Sequence, residues 1–150
     1  MTNVHDVATY ILQRLDMSVS TMKLQKLTFF SQGWSLALLD QPLFDEDFQA
    51  WKNGPVCYEL FNRHRGLYSV SVWQGDPSSL DESQRIVLDA SLNNYGALTG
   101  IQLSELTHMP GSPWAVARSI AGINDGSFSQ VTIAKPIIGT YFKRLLRQQG

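Results

Sequence analysis

The chain has 150 residues, 43% of them hydrophobic and 17% charged, with a formal net charge of -1. That length suits about one domain of the usual ~100–150 residues, and the apolar content excludes both an intrinsically disordered chain and a miniature scaffold that depends on disulfides. The near balance of charge argues against a strongly basic nucleic-acid coat.

Met1-Thr-Asn-Val-His-Asp6 lacks the basic and apolar regions of a signal peptide. No apolar run reaches the length of about 20 residues that spans a bilayer. Val4, Val7, Ala8, Ile11, Leu12 and Leu15 recur at helical spacing, with Thr2 or Asn3 as the cap. After a connector over Asp16–Ser20, Ser20 or Thr21 caps a second helix from about Met22 to Leu39. Its stripe of Leu24, Leu27, Phe30, Trp34, Ala37 and Leu38 is widened by Phe29, Leu36 and Leu39, the pattern of a helix central to its domain. Asp40-Gln-Pro42 ends it, and Phe48–Trp51 reads as a short strand or extended segment.

Asn53-Gly54-Pro55 predicts a turn that opens a helix over about Val56–His64, with Pro55 at its first position. Leu67–Trp73 alternates as a short strand. Ser79-Leu-Asp-Glu82 has capping-box spacing and introduces a helix through about Ala97. Leu103–His108 predicts a brief helix, Ser112-Pro113-Trp114 opens another to about Ala121, and helical spacing resumes from Thr132, with Pro136 in the first turn. The expected fold is mainly α: a single compact domain over residues 1–150, of about six to seven helices with a small two- or three-stranded sheet.

The residues with chemical potential do not form a catalytic set. His5, His64 and His108 have no metal-ligand spacing, so neither a metal nor another cofactor is expected. Cys57, the single cysteine, has no partner for a disulfide, which points to a reducing, cytoplasmic compartment. Near a helix start its thiol pKa would be lowered, but no His and acid pair completes a nucleophilic site, and a half-buried hydrophobe is the better reading. Asp45-Glu46-Asp47 reads as a solvated face. Phe29, Phe30, Trp34, Phe44, Trp51, Tyr58, Phe61 and Trp114 read mostly as core, any exposed one being an interface anchor. Arg63-His64-Arg65 and Lys143, Arg144 and Arg147 fit helix C-termini, and they also leave open a DNA-binding repressor as the alternative function. An enzyme is not expected.

Several segments taken in order carry a resemblance. Met22-Lys-Leu-Gln-Lys-Leu-Thr-Phe-Phe-Ser-Gln-Gly-Trp34, Gln41-Pro-Leu-Phe44, Ala50-Trp-Lys-Asn-Gly-Pro-Val56, Leu103-Ser-Glu-Leu-Thr-His108, Pro113-Trp114 and Ala117-Arg118 together resemble the Panacea domain of SocA-like antitoxins, also labelled phage-associated GepA-like. The resemblance extends from about residue 8 to about residue 145. It implies a cytoplasmic, non-enzymatic antitoxin that binds and neutralises a toxin encoded by the adjacent gene, with delivery of the toxin to a protease as a further role. The implied partners are the cognate toxin and a protease or chaperone, with no membrane; operator DNA and oligomeric state are left open. Gln25, Lys26, Gln32, Trp51, Lys52, His108 and Trp114 are the motif residues expected at the partner-binding surface or in a network that supports it. Leu24, Leu27, Gly54, Pro55 and Ser104 are expected to be structural.

Overall fold

The computed structural model describes residues 1–149. Seven helices are joined by two small antiparallel sheets. In chain order these are α1 (Val4–Leu15), β1 (Val19–Ser20), α2 (Thr21–Leu38), β2 (Phe48–Trp51), β3 (Gly54–Cys57), α3 (Tyr58–His64), β4 (Ser69–Val70), a single 3-10 turn (Pro77–Ser79), α4 (Glu82–Tyr95), α5 (Gly100–Thr107), α6 (Pro113–Ile120), β5 (Thr132–Ile133) and α7 (Lys135–Gln149). β1 pairs with β4, and a second sheet has the order β3-β2-β5. Among the described residues, no helix is long and apolar enough to cross a membrane.

Side chains that can accept from the free N–H groups of a first turn set the helix starts. Asn3 accepts from His5 and Asp6 while Asp6 accepts from the Asn3 N–H, a reciprocal box. Ser20 caps α2 and Ser112 caps α6 ahead of Pro113. The box expected at Ser79 lies two residues later, between Asp81 and Gln84, because the Ser79 hydroxyl donates to Asp6 Oδ2 at 2.9 Å. Thr99 with Gln102 starts α5 three residues before the expected Leu103.

Every residue of α2 from Lys23 to Ser35 is buried, including its polar ones, because α1, α4, α5, α7 and the hairpin surround it. Gly33 is what lets α7 approach. The Phe142 ring lies over it, in edge contacts with Phe29, Phe30 and Trp34 at centroid distances of 6.0, 5.9 and 5.3 Å.

The largest departure from expectation is at Gly54-Pro55, which belongs to a strand and not to a helix start. Phe48 pairs with Cys57 and Trp51 with Gly54, closing a hairpin with Lys52-Asn53 at its tip. The Ala50 N–H donates to Val131 O at 2.7 Å, away from β3, so the Ala50–Pro55 pair exchanges no hydrogen bond and needs no N–H from proline. β3 is also an edge strand, where proline is tolerated. Thr132 and Ile133, expected in the last helix, instead pair with β2.

A methyl group at Gly33 would overlap the Phe142 ring, whereas at Gly139 it would meet Leu36 Cβ at an ordinary 3.5 Å. Gly33→Ala should therefore cost about 1–3 kcal/mol by overpacking, despite a helix-propensity gain of about 1 kcal/mol. Gly139→Ala should be neutral or stabilising; urea unfolding of both variants checks the contrast.

Candidate functional site

A β-hairpin inside a helical domain has outward-facing N–H and C=O groups that no strand pairs, and each must find a partner or pay a desolvation cost. Here side chains from three helices supply the partners. On the open edge of β3, Gln25 Oε1 accepts from the Cys57 N–H at 2.8 Å and Gln25 Nε2 donates to Cys57 O at 3.1 Å, so one amide replaces a neighbouring strand. The Lys26 ammonium donates to Pro55 O at 3.1 Å. At the tip Ser104 donates to Asn53 O at 3.3 Å. On the other edge, Trp114 Nε1 donates to Trp51 O at 2.6 Å and Arg118 donates to Ala50 O at 3.0 Å.

These partners are nearly all residues of the sequence motifs. His108 donates from Nδ1 to Ser104 O at 2.6 Å and lays its ring on Trp114, with centroids 4.1 Å apart. Leu24 and Leu27 are core residues. Gly54 holds a φ of 124°, and a Cβ there would meet Lys26 Cε at 2.9 Å and Thr107 Oγ1 at 3.3 Å. Gln32 does for the loop after α2 what Gln25 does for β3: it accepts from the Leu43 N–H at 2.7 Å and donates to Phe44 O at 2.9 Å. Gln25, Lys26 and Gln32 are only 3%, 3% and 1% exposed, so they lie in the supporting network, with Gln25 and Lys26 also bordering a cavity. Lys52 is exposed at the hairpin tip, and Trp51 is half-buried against Phe61 at 4.9 Å.

The electrostatics follow from burial. Burial holds the Lys26 ammonium down at about 8, and no carboxylate lies within 4.0 Å of it among the described residues. Burial, and secondarily the Lys26 charge, lowers His64. Gln25 Nε2 donates to His64 Nε2 at 3.0 Å, which requires a neutral ring with its proton on Nδ1. Cys57 is the last residue of β3 and not in a first helical turn; burial, with the Glu59 carboxylate beside it, pushes its thiol up to about 12, the reverse of nucleophilic activation.

Between the hairpin, the first turn of α2 and α3 lies a cavity of about 360 Å³. Met22, Trp51, Val56, Phe61 and Phe128 give it apolar walls, Gln25, Lys26 and His64 also line it, and Thr21, Lys52 and Asn53 complete the lining. A shallower depression beside it shares Met22 and Asn53 and adds Ile101, Ser104, Glu105 and His108. Met22, Phe61, His64 and Phe128 join the cavity without a local sequence signal for it. Phe61 was assigned to the core, and nothing local shows that Phe128, in a loop, lies beside α2.

Other candidates are engaged elsewhere. Asp45, Glu46 and Asp47 line a separate cleft of about 620 Å³, where Glu46 accepts from the Val4 N–H at 3.2 Å and Asp47 pairs with Lys135 at 2.7 Å. Arg63 donates to Gln74 O and lies over Trp73, Arg65 reaches Tyr58 and lies over Phe61, and Lys143 pairs with Asp40. Among the described residues, no group of three or more His, Cys, Asp or Glu side chains is placed to hold a metal ion.

Comparison with known proteins gives two matches. The family model described as "Antitoxin SocA-like, Panacea domain" matches residues 24–115, from the end of the first turn of α2 into α6, which includes the whole hairpin. Antitoxin SocA of Caulobacter vibrioides (strain NA1000 / CB15N) is 29% identical over 138 residues, covering 80% of this chain and 72% of its own. No solved structure matches.

The buried ammonium has a signature in pH. Between about pH 8 and pH 10.5 the folded chain releases the Lys26 proton while the unfolded chain keeps it, so stability rises with pH across that window. A shift of this size corresponds to about 3 kcal/mol. The wild type should gain up to about 3 kcal/mol on Lys26→Met between these pH values, read by urea unfolding of both proteins. Parallel pH profiles would contradict a buried charge.

Proposed function

The chain belongs to the SocA-like, Panacea-domain antitoxin family, and from that membership we propose that it neutralises a toxin encoded by the adjacent gene through direct protein–protein binding. The observation that carries the proposal is the use made of the motif residues. Gln25, Lys26, Ser104, Trp114 and Arg118 each hydrogen-bond a backbone carbonyl or N–H group of one hairpin. What they hold in place is a rim of Trp51, Lys52 and Asn53 beside an open apolar cavity. A preorganised rim of this kind binds without first paying to order a loop.

Stoichiometric binding is favoured over catalysis. The Cys57 thiol is buried and stays protonated, and His64 is locked as an acceptor toward Gln25. The half-buried Trp51 and the exposed Met22 and Phe128 are side chains of the kind that anchor protein interfaces. Arg63 and Arg65 are engaged within the chain and Lys143 is paired with Asp40, which weighs against the DNA-reading alternative.

Expression of the adjacent gene alone should arrest growth, and co-expression with this chain should restore it, with the two products co-purifying. A complex captured only when cellular proteolysis is blocked would mark delivery to a protease in place of sequestration. A harmless neighbour, or toxicity that co-expression fails to relieve, would contradict the antitoxin reading.

A further inference from the structure

We propose that the cavity beside the hairpin is the toxin-docking groove and that it takes a segment in which an Asp or Glu carboxylate, bound by Lys26, is flanked by apolar side chains. The inference rests on the antitoxin reading and adds the chemistry of the partner.

The charge distribution around the cavity is one-sided. Lys26 and Lys52 line it as cations, His64 lines it as a neutral ring, and no Asp or Glu does so among the described residues. An ammonium carries three donors, and Lys26 uses one of them on Pro55 O. It has no internal counter-ion, so a charge desolvated at the wall of an apolar groove is left uncompensated. The first turn of α2 carries no acidic residue to offset the positive end of that helix, which adds to the same field. The acidic residues nearest in sequence to the hairpin, Asp45, Glu46, Asp47 and Glu59, line a different cleft.

The remaining wall is apolar. Phe128 is 72% exposed, a high value for a phenylalanine with no partner of its own, and Met22 and Trp51 present further apolar surface beside it. A carboxylate entering this groove completes the coordination of Lys26, and its apolar neighbours cover Phe128 and Trp51 and exclude water. Lost water strengthens the ionic contact. A neutral or basic segment of the same shape leaves the ammonium buried and unpaired, so the groove discriminates by charge as well as by shape.

The test uses the full chain and the purified product of the adjacent gene, with Kd measured for wild type, Lys26→Met, Phe128→Ser and, as a control on the exposed face of α4, Ile86→Ser. Lys26→Met and Phe128→Ser should each raise Kd at least tenfold, and Ile86→Ser should leave it within twofold. Changing each Asp and Glu of the toxin to its amide should then identify one replacement that weakens wild-type binding tenfold and Lys26→Met no further. Circular dichroism checks folding. If Lys26→Met unfolds, Phe128→Ser, an exposed side chain, together with the amide scan of the toxin carries the same test. Unchanged affinity in both groove variants, or a loss confined to Ile86→Ser, would overturn the groove while neutralisation by the wild type still stood. Loss with Phe128→Ser but not with a folded Lys26→Met would overturn the acidic anchor. Failure of the wild type to bind the toxin at all would overturn the antitoxin reading itself.

Discussion

The constraint on which the rest of the structure depends is the unpaired backbone of the β2–β3 hairpin. β3 has no strand on its outer side and β5 pairs only the first half of β2, and water is not available to an edge pressed against a central helix. The chain answers with side chains: the Gln25 amide reproduces the donor and acceptor of a missing strand, Lys26 supplies a donor where Pro55 presents a carbonyl, and Trp114 and Arg118 hold the opposite edge. Removing one of these partners leaves a buried polar group unsatisfied, at a cost of about 1–3 kcal/mol each. The hairpin is therefore tied to the packing of α2, α5 and α6.

The same arrangement explains how buried cations are handled. Lys23 donates to Gly96 O at 2.6 Å at the C-terminus of α4, where a cation also meets the negative end of the helix. Arg118 reaches Ala50, Asn124 and Ser127 carbonyls and lies 5.0 Å from the Trp114 ring centre. Lys26, Lys23 and Arg118 all end on backbone oxygens, while the three ion pairs among the described residues lie at the surface. Surface pairs of that kind contribute about 0–1 kcal/mol. The consequential electrostatics are internal, and at Lys26 an internal cation borders a cavity with apolar walls.

Helices were legible where a cap and a period agreed, as at Asn3, Ser20 and Ser112. The hairpin was not, because Gly54-Pro55 carries the same local signal whether it opens a helix or lies in an edge strand. What decides is the pairing of Phe48 with Cys57 and the approach of Lys26, both set by residues distant in sequence. Ser79 was misassigned as a cap for the same reason, since its hydroxyl is taken by Asp6 from the other end of the fold. Gln25, Lys26 and Gln32 were recognisable as motif residues, and a polar residue within an apolar helix reads by default as facing outward. Their burial follows from α2 being enclosed on all sides, which periodicity cannot convey.

The division of labour is visible in the fold: residues that carry the family pattern build and brace the hairpin, and Lys52 and Phe128 are left exposed beside it. Amide hydrogen exchange at Cys57 tests the bracing most directly, because that N–H has no strand partner and is protected only by Gln25 Oε1. The Cys57 amide should exchange as slowly as the amides at the centre of α2 in the wild type, and Gln25→Ala should make it fast while the amides of α1 and α4 stay protected. A Cys57 amide that exchanges freely in the wild type, or is as protected in Gln25→Ala as before, would contradict a hairpin edge held by a helix side chain.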